Sequence, residues 1–196
     1  DHPSMKIRET EKLLPQFIIN QLSDITEGKA VIVTGVGQHQ MWAAQFLGFN
    51  KPDTFVSSGG LGAMGFELPA ALGAQIGRPD ATVWSIAGDG GFQMTMCELA
   101  TIAQEKIKIN VAIINNGYLG MVRQWQEFFY DKSYVATYYT HNPDFVKLAE
   151  AYGAKGFVAN GPAELEATLK KALTLEVPVL IEVPVGPMPS PFFKAP

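Results

Sequence analysis

The 196-residue chain has a single cysteine, Cys97, so it cannot hold an internal disulfide or a cysteine-based zinc site. Charge is scarce too: 17% of residues are charged, against about 25% in an ordinary soluble domain. That shortfall predicts surface that something else covers, and with it self-association in solution. The 15 Lys and Arg against 19 Asp and Glu leave a net charge of −4 with no basic block, which argues against nucleic-acid and anionic-membrane partners. No apolar run reaches 18 residues, so no membrane-spanning helix is expected. The opening DHPSMKIRET has no apolar signal region and no initiator methionine; it reads as the processed or cut end of a longer chain in a reducing, cytoplasmic setting. What is abundant is apolar: 47% of residues are hydrophobic, enough to bury one substantial core.

Those apolar residues are patterned. Helical spacing predicts helices over 12–25, 38–47, 64–77, 92–105, 118–129, 143–153 and 162–173. Short β-branched runs predict strands over 30–34, 54–58, 81–87, 109–115, 155–159 and 177–185. The alternation of strand and helix, with strands apolar on both faces, predicts an α/β fold: an open parallel sheet with helices on both faces. Three segments follow: a linker remnant over 1–13, a folded domain over 14–186 and a Pro-rich extended tail over 187–196.

The chemistry is concentrated in one pairing. Gly88-Asp89-Gly90 follows one buried strand, and Asn115-Asn116 follows the next, with 24 residues between the two motifs. That interval matches one strand-helix-strand crossover, roughly 30 residues, which returns the chain parallel to itself. Asp89 and Asn116 are therefore expected at the same carboxyl edge of the sheet, where open α/β sheets bind ligands. Strands about 4.8 Å apart let the two oxygens share one small ion. One carboxylate and one amide oxygen are too few for a lone cation. Magnesium, which takes about six oxygens, commonly draws the rest from water and a phosphate. Gly90 and Gly91 let a diphosphate approach the backbone, and the helix expected at 92 offers it free N–H groups. The pattern describes a cradle for a magnesium diphosphate, not a hydrolytic metal centre.

The Gly88-Asp89-Gly90 and Asn115-Asn116 pair resembles the thiamine-diphosphate-binding motif. The flanking text, GVGQHQMWA over 35–43, SSGGLGAMGFELPAALGA over 57–74 and NNGYLGMVRQWQEFF over 115–129, resembles the catalytic subunit of the acetohydroxyacid synthase (acetolactate synthase) family. The likeness runs from about residue 14 to 185 and covers that family's C-terminal third. The resemblance implies thiamine diphosphate and Mg2+ as cofactors, with FAD in the full-length parent. It implies decarboxylation of pyruvate and its condensation with a second 2-keto acid, feeding branched-chain amino-acid synthesis. The parent is implied to be a homo-oligomer, with a possible regulatory subunit.

By the same resemblance, Asp89 and Asn116 ligate the metal through side-chain oxygens and Tyr118 through its backbone carbonyl. Gln38 and His39 meet the diphosphate end, helped by the backbone of Gly90 and Gly91, with Gly88, Leu119, Gly120 and Met121 also against the cofactor. Gly62 and Met64 meet the aminopyrimidine, Met64 as the apolar wedge that bends the cofactor. Met121, Val122 and Trp125 line a substrate channel; Met121 and Trp125 are four apart on one helical face. No catalytic residue is assigned in this chain, because the family's activating glutamate lies on the pyrimidine-binding domain.

Two positions depart from the family pattern. Glu67 stands where glycine is usual, a charge expected either to be exposed or to perturb the local fold. Gly91 stands where serine is usual, which removes a hydroxyl and keeps the backbone donor. Gly117 occupies a variable position. Three other readings remain open: another thiamine-diphosphate enzyme of the pyruvate oxidase or glyoxylate carboligase type, a dinucleotide-binding domain using Gly35-Val36-Gly37, which lacks the third glycine, and a non-catalytic binding module.

Overall fold

The computed structural model describes residues 13–186. The tail over 187–196 and, apart from Leu13, the expected linker remnant lie outside the described residues. Six strands form one sheet, all neighbours parallel, in the order β2-β1-β3-β4-β6-β5. They are β1 (Val31–Thr34), β2 (Phe55–Ser57), β3 (Val83–Gly88), β4 (Asn110–Asn115), β5 (Lys155–Val158) and β6 (Val179–Pro184). The helices are α1 (Pro15–Ile25), α2 (Gln38–Phe46), α3 (Glu67–Gly77), α4 (Asp89–Thr95), α5 (Leu99–Gln104), α6 (Gly120–Phe129), α7 (Phe145–Ala151) and α8 (Pro162–Thr174). Among the described residues no helix is long and apolar enough to cross a membrane.

The two-residue period of the strands divides the core into two. Ile32, Trp84, Ile86, Ala112, Ile114 and Ile181 face Ile18, Leu22, Trp42, Leu165 and Leu169 of α1, α2 and α8. Val31, Val33, Val83, Ala87, Val111 and Ile113 face Leu68, Phe92, Ile102 and Phe145 of α3, α4, α5 and α7. This is the expected three-layer α/β arrangement. Both faces of the central strands are dry, which is why their sequences are apolar without alternation.

Element ends differ from the sequence reading in ways that matter for the site. The helix expected from 92 starts at Asp89, and a 3-10 turn at Met96–Glu98 divides it, so Asp89-Gly90-Gly91 form its first turn rather than a preceding loop. The helix expected from 64 starts at Glu67, which leaves Met64 on the turn before it and Pro69 in its first turn. α7 starts after Asp144, whose side chain accepts a hydrogen bond from the Lys147 amide at 3.0 Å, a standard N-cap.

The strand order sets the position of the site. From β1 the chain goes to one side through α2 to β2, then crosses to the other side through α3 to β3. Connections leave in opposite directions on opposite faces, so a crevice opens past the carboxyl ends of β1 and β3, where α/β sheets take ligands. This order, 2-1-3-4-6-5, is not the 3-2-1-4-5-6 of the dinucleotide-binding fold.

Candidate cofactor site

A cleft of about 460 Å³ lies at that crevice, walled by the segments that follow β1, β3 and β4. Gly88 pairs with Ile114 in the β3–β4 ladder, so Asp89 and Asn116 leave adjacent strands on the same rim. Both line the cleft. Asp89 is 1% exposed, and among the described residues no Lys, Arg or His reaches ion-pair distance of it. Burial pushes its carboxyl above the usual carboxylate range. A hydrogen bond from Asn142 and the approach of its own amide and those of Asn116 and Gly117 partly oppose that. A buried carboxylate without a cation is costly, which makes this position a natural seat for a positive ion.

Across the cleft, at the start of α2, Gln38 and His39 are 4% and 6% exposed. Gln38 donates through Nε2 to Gln124 Oε1 at 3.0 Å, which leaves its own Oε1 buried without a partner. His39 Nε2 is likewise unpartnered. Burial lowers the His39 pKa to about 4, so the ring is neutral near pH 7 and carries one N–H to offer. The first-turn amides of Gly90 and Gly91 border the same cleft and have no intrahelical acceptor. The packing here is close: a Cβ on Gly90 would lie 2.5 Å from the Tyr139 hydroxyl. A Cβ on Gly120 would overlap Gln38 Oε1.

Most residues singled out from the sequence converge on this cleft: Gln38, His39, Met64, Gly88, Asp89, Gly90, Gly91, Asn116, Tyr118, Leu119, Gly120, Met121 and Val122. Two do not. Gly62 is absent from the lining, and a Cβ there would meet nothing within 4 Å. Trp125 is also absent and is 53% exposed: α6 buries only Gln124, and the wide apolar face of Val122, Trp125, Phe128 and Phe129 is left to solvent. Gly117, given no role from sequence, sits at φ +70°, where glycine is favoured, between the Asx turns in which Asn115 Oδ1 accepts from the Gly117 N–H and Asn116 Oδ1 from the Tyr118 N–H.

Glu67 is neither exposed nor disruptive. It is fully buried at the start of α3, behind the cleft, in a niche left by two glycines. A Cβ on Gly35 would overlap its carboxylate, and one on Gly91 would lie 2.8 Å from Oε1. The glycine at 91 therefore has a steric reason: it faces Glu67. Neither carboxylate oxygen closes a hydrogen bond. Desolvation raises the pKa to about 7, with the nearby backbone of Glu67 and Gly65 opposing only part of the shift.

Sequence reasoning also passed over Gln124, Tyr139 and Asn142. Gln124 stands one turn from the exposed Phe128 on the same side of α6, so helical spacing gives no sign that it is the buried residue. Tyr139 and Asn142 lie in an irregular stretch without periodicity, which offers no local signal.

The donor set is one carboxylate, amide and carbonyl oxygens, two orphaned polar atoms and glycine amides. Among the described residues there is no cluster of three His, Cys, Asp or Glu to hold a metal by itself. Such a set fits a divalent cation shared with a bound anion, and it does not fit a self-sufficient metal centre. Fold and site together define a thiamine pyrophosphate enzyme domain. The model of the family described as thiamine pyrophosphate enzyme, C-terminal TPP binding domain, matches residues 35–183, and the chain belongs to that family.

Within the family the chain is similar to acetolactate synthases. The chain is 52% identical over 179 residues to acetolactate synthase of Mycobacterium leprae, covering 89% of this chain and 29% of that protein. It is 47% identical over 190 residues to the mitochondrial acetolactate synthase catalytic subunit of Saccharomyces cerevisiae, covering 94% and 28%. It is 42% identical over 185 residues to the isozyme 2 large subunit of Escherichia coli, covering 94% and 33%. The chain thus spans about three tenths of the length of these relatives. They favour the acetolactate synthase resemblance over the pyruvate oxidase and glyoxylate carboligase alternatives.

Proposed function

We propose that this chain is the diphosphate-holding domain of an acetolactate synthase large subunit. It serves the decarboxylation of pyruvate and the joining of the product to a second 2-keto acid. The observation that carries the proposal is Asp89, buried without a cation on the same rim as Asn116 and facing the unpartnered Gln38 Oε1 and His39 Nε2.

Asp89 and Asn116 would hold Mg2+ through side-chain oxygens and Tyr118 through its backbone carbonyl. His39, neutral at working pH, would donate to a diphosphate oxygen without adding charge, and the amides of Gly90 and Gly91 would do the same. Met64 and Met121 are long, unbranched side chains on the cleft wall, suited to packing against an aromatic ring. Bound thiamine diphosphate would supply the electron sink that carbon–carbon bond cleavage beside a keto group requires. Around it the chain's own task is to position the group, exclude water and neutralise its phosphates.

Only the phosphate half of such a site is encoded in this sequence, and the activating glutamate that the resemblance implies is not in it. The isolated chain is therefore expected to bind Mg2+ and thiamine diphosphate weakly and to form no acetolactate. FAD, homo-oligomerisation and a regulatory subunit belong to the proposal for the longer parent. The test is calorimetric titration of the chain with thiamine diphosphate, with and without Mg2+. Binding that requires Mg2+ and is lost in Asp89→Ala supports the proposal. Metal-independent binding, or binding that survives D89A, refutes it.

A further inference from the structure

Asp89 is held by a residue far from it in sequence. Asn142 Nδ2 donates to Asp89 Oδ2 at 2.8 Å, and among the described residues this is the only side chain hydrogen-bonded to that carboxylate. Nδ2 also donates to Asn115 Oδ1 at 3.0 Å, and Asn142 Oδ1 accepts from Gln93 Nε2 at 3.0 Å. Gln93 sits one turn along α4 and donates to the Asp89 backbone carbonyl as well, at 3.0 Å. Asn115 in turn donates to Glu182 Oε1 of β6 at 2.8 Å. The two asparagines of the Asn115-Asn116 pair thus divide their work. Asn116 faces the cleft, while Asn115 turns along the sheet edge and anchors Asn142.

The backbone supports this placement. The stretch after α6 lies antiparallel against 117–119: Leu119 N–H donates to Thr137 O at 2.8 Å and Tyr139 N–H donates to Gly117 O at 2.9 Å. The same stretch brings Tyr139 against Gly90 and Asn142 against Asp89. The amide of Asn142 has no freedom to flip, because reversing it would set its oxygen against Asp89 and its nitrogen against the Gln93 donor.

We propose that Asn142 is a positioning residue for the cation: it occupies one oxygen of Asp89, fixes the carboxylate plane and leaves the other oxygen for the metal. The reason is conformational. The terminal torsion of aspartate is broad, so an unsupported carboxylate samples many planes, and a ligand pinned from behind does not. Partners of this kind change metal affinity by about 10–100-fold. The inference rests on the proposed function above.

The experiment titrates the full chain with Mg2+ at fixed thiamine diphosphate, and with thiamine diphosphate at saturating Mg2+, in wild type, Asn142→Ala and Asn142→Leu. Leucine keeps the volume and removes the donor, so the pair separates lost packing from a lost hydrogen bond. The expected result is a half-saturating Mg2+ concentration raised on the order of 10-fold or more in both variants. Affinity for thiamine diphosphate at saturating Mg2+ should stay near the wild-type value. Unchanged Mg2+ dependence in the variants overturns the inference while leaving the proposed function intact. A parallel loss of affinity at every Mg2+ concentration, with a lowered melting temperature, also overturns it, since that is the signature of a purely structural contact. Absence of Mg2+-dependent binding in the wild type overturns the proposed function and this inference with it.

Discussion

Replacing Glu67 by glutamine isolates the cost of the buried carboxylate. Its pKa is raised from 4.5 to about 7 by desolvation, so the folded state holds this proton more tightly than the unfolded state does. The sign follows from that. The contribution to stability is fully present below pH 4.5, declines as pH rises, and is gone above about 7. At about 1.36 kcal/mol per unit the whole window is worth about 3 kcal/mol, of which about 2.5 kcal/mol falls between pH 5 and pH 8. His39 runs the other way. Its pKa is lowered from 6.5 to about 4, so its contribution is present above 6.5 and lost as pH falls through 4. Between pH 4.5 and 6.5 the two slopes oppose each other, and the wild type is expected to show little pH dependence from this pair.

Glu67→Gln removes one slope and uncovers the other. Urea denaturation of both proteins at pH 5 and pH 8 is the assay, and the difference between them cancels every group they share. Relative to wild type, E67Q should gain about 2.5 kcal/mol from pH 5 to pH 8, a midpoint shift of roughly 1–2 M urea at an ordinary m-value. Burial of the new amide adds an offset that does not depend on pH, so the slope of the difference is what decides. A difference that stays flat within about 0.5 kcal/mol would refute the reasoning, because it would mean that water or a partner reaches the carboxylate.

Three further outcomes are expected. Gly35→Ala drives a methyl into the Glu67 carboxylate and should destabilise the fold strongly, whereas G35A combined with Glu67→Gly should recover most of the loss; additive effects in that double-mutant cycle would contradict the shared niche. Phe92 is fully buried with its ring centroid 5.7 Å from that of Phe145, so Phe92→Ala should cost about 3–5 kcal/mol by chemical denaturation, and a loss under 1 kcal/mol would deny it a core role. The isolated chain should release no acetolactate from pyruvate in a product assay, with measurable product counting against the division of the site proposed above.

Most of the architecture was legible from local pattern. Parallel strands with dry faces write themselves as uninterrupted apolar runs, and a crossover of known length returns two strand ends to one edge. The spacing of Asp89 and Asn116 therefore puts both on the same rim. What local pattern does not encode is which loops the strand order brings together. β1 lies between β2 and β3, and this sets Glu67, at the start of α3, between Gly35 after β1 and Gly91 in the first turn of α4, and turns a charge that looked out of place into a fitted one.

The stretch between α6 and α7 has no periodicity at all, so nothing local marks Asn142, whose place is set by hydrogen bonds to Asp89, Asn115 and Gln93. Trp125 and Gly62 were assigned to the site by resemblance, and tertiary structure leaves both outside the cleft. By itself the sequence determined the layers, the edge and the shared rim of Asp89 and Asn116, because backbone geometry and hydrophobic period are local properties. Tertiary structure alone decided which side chains support that pair and which buried groups lack partners, because burial and hydrogen bonding depend on segments far apart in the chain.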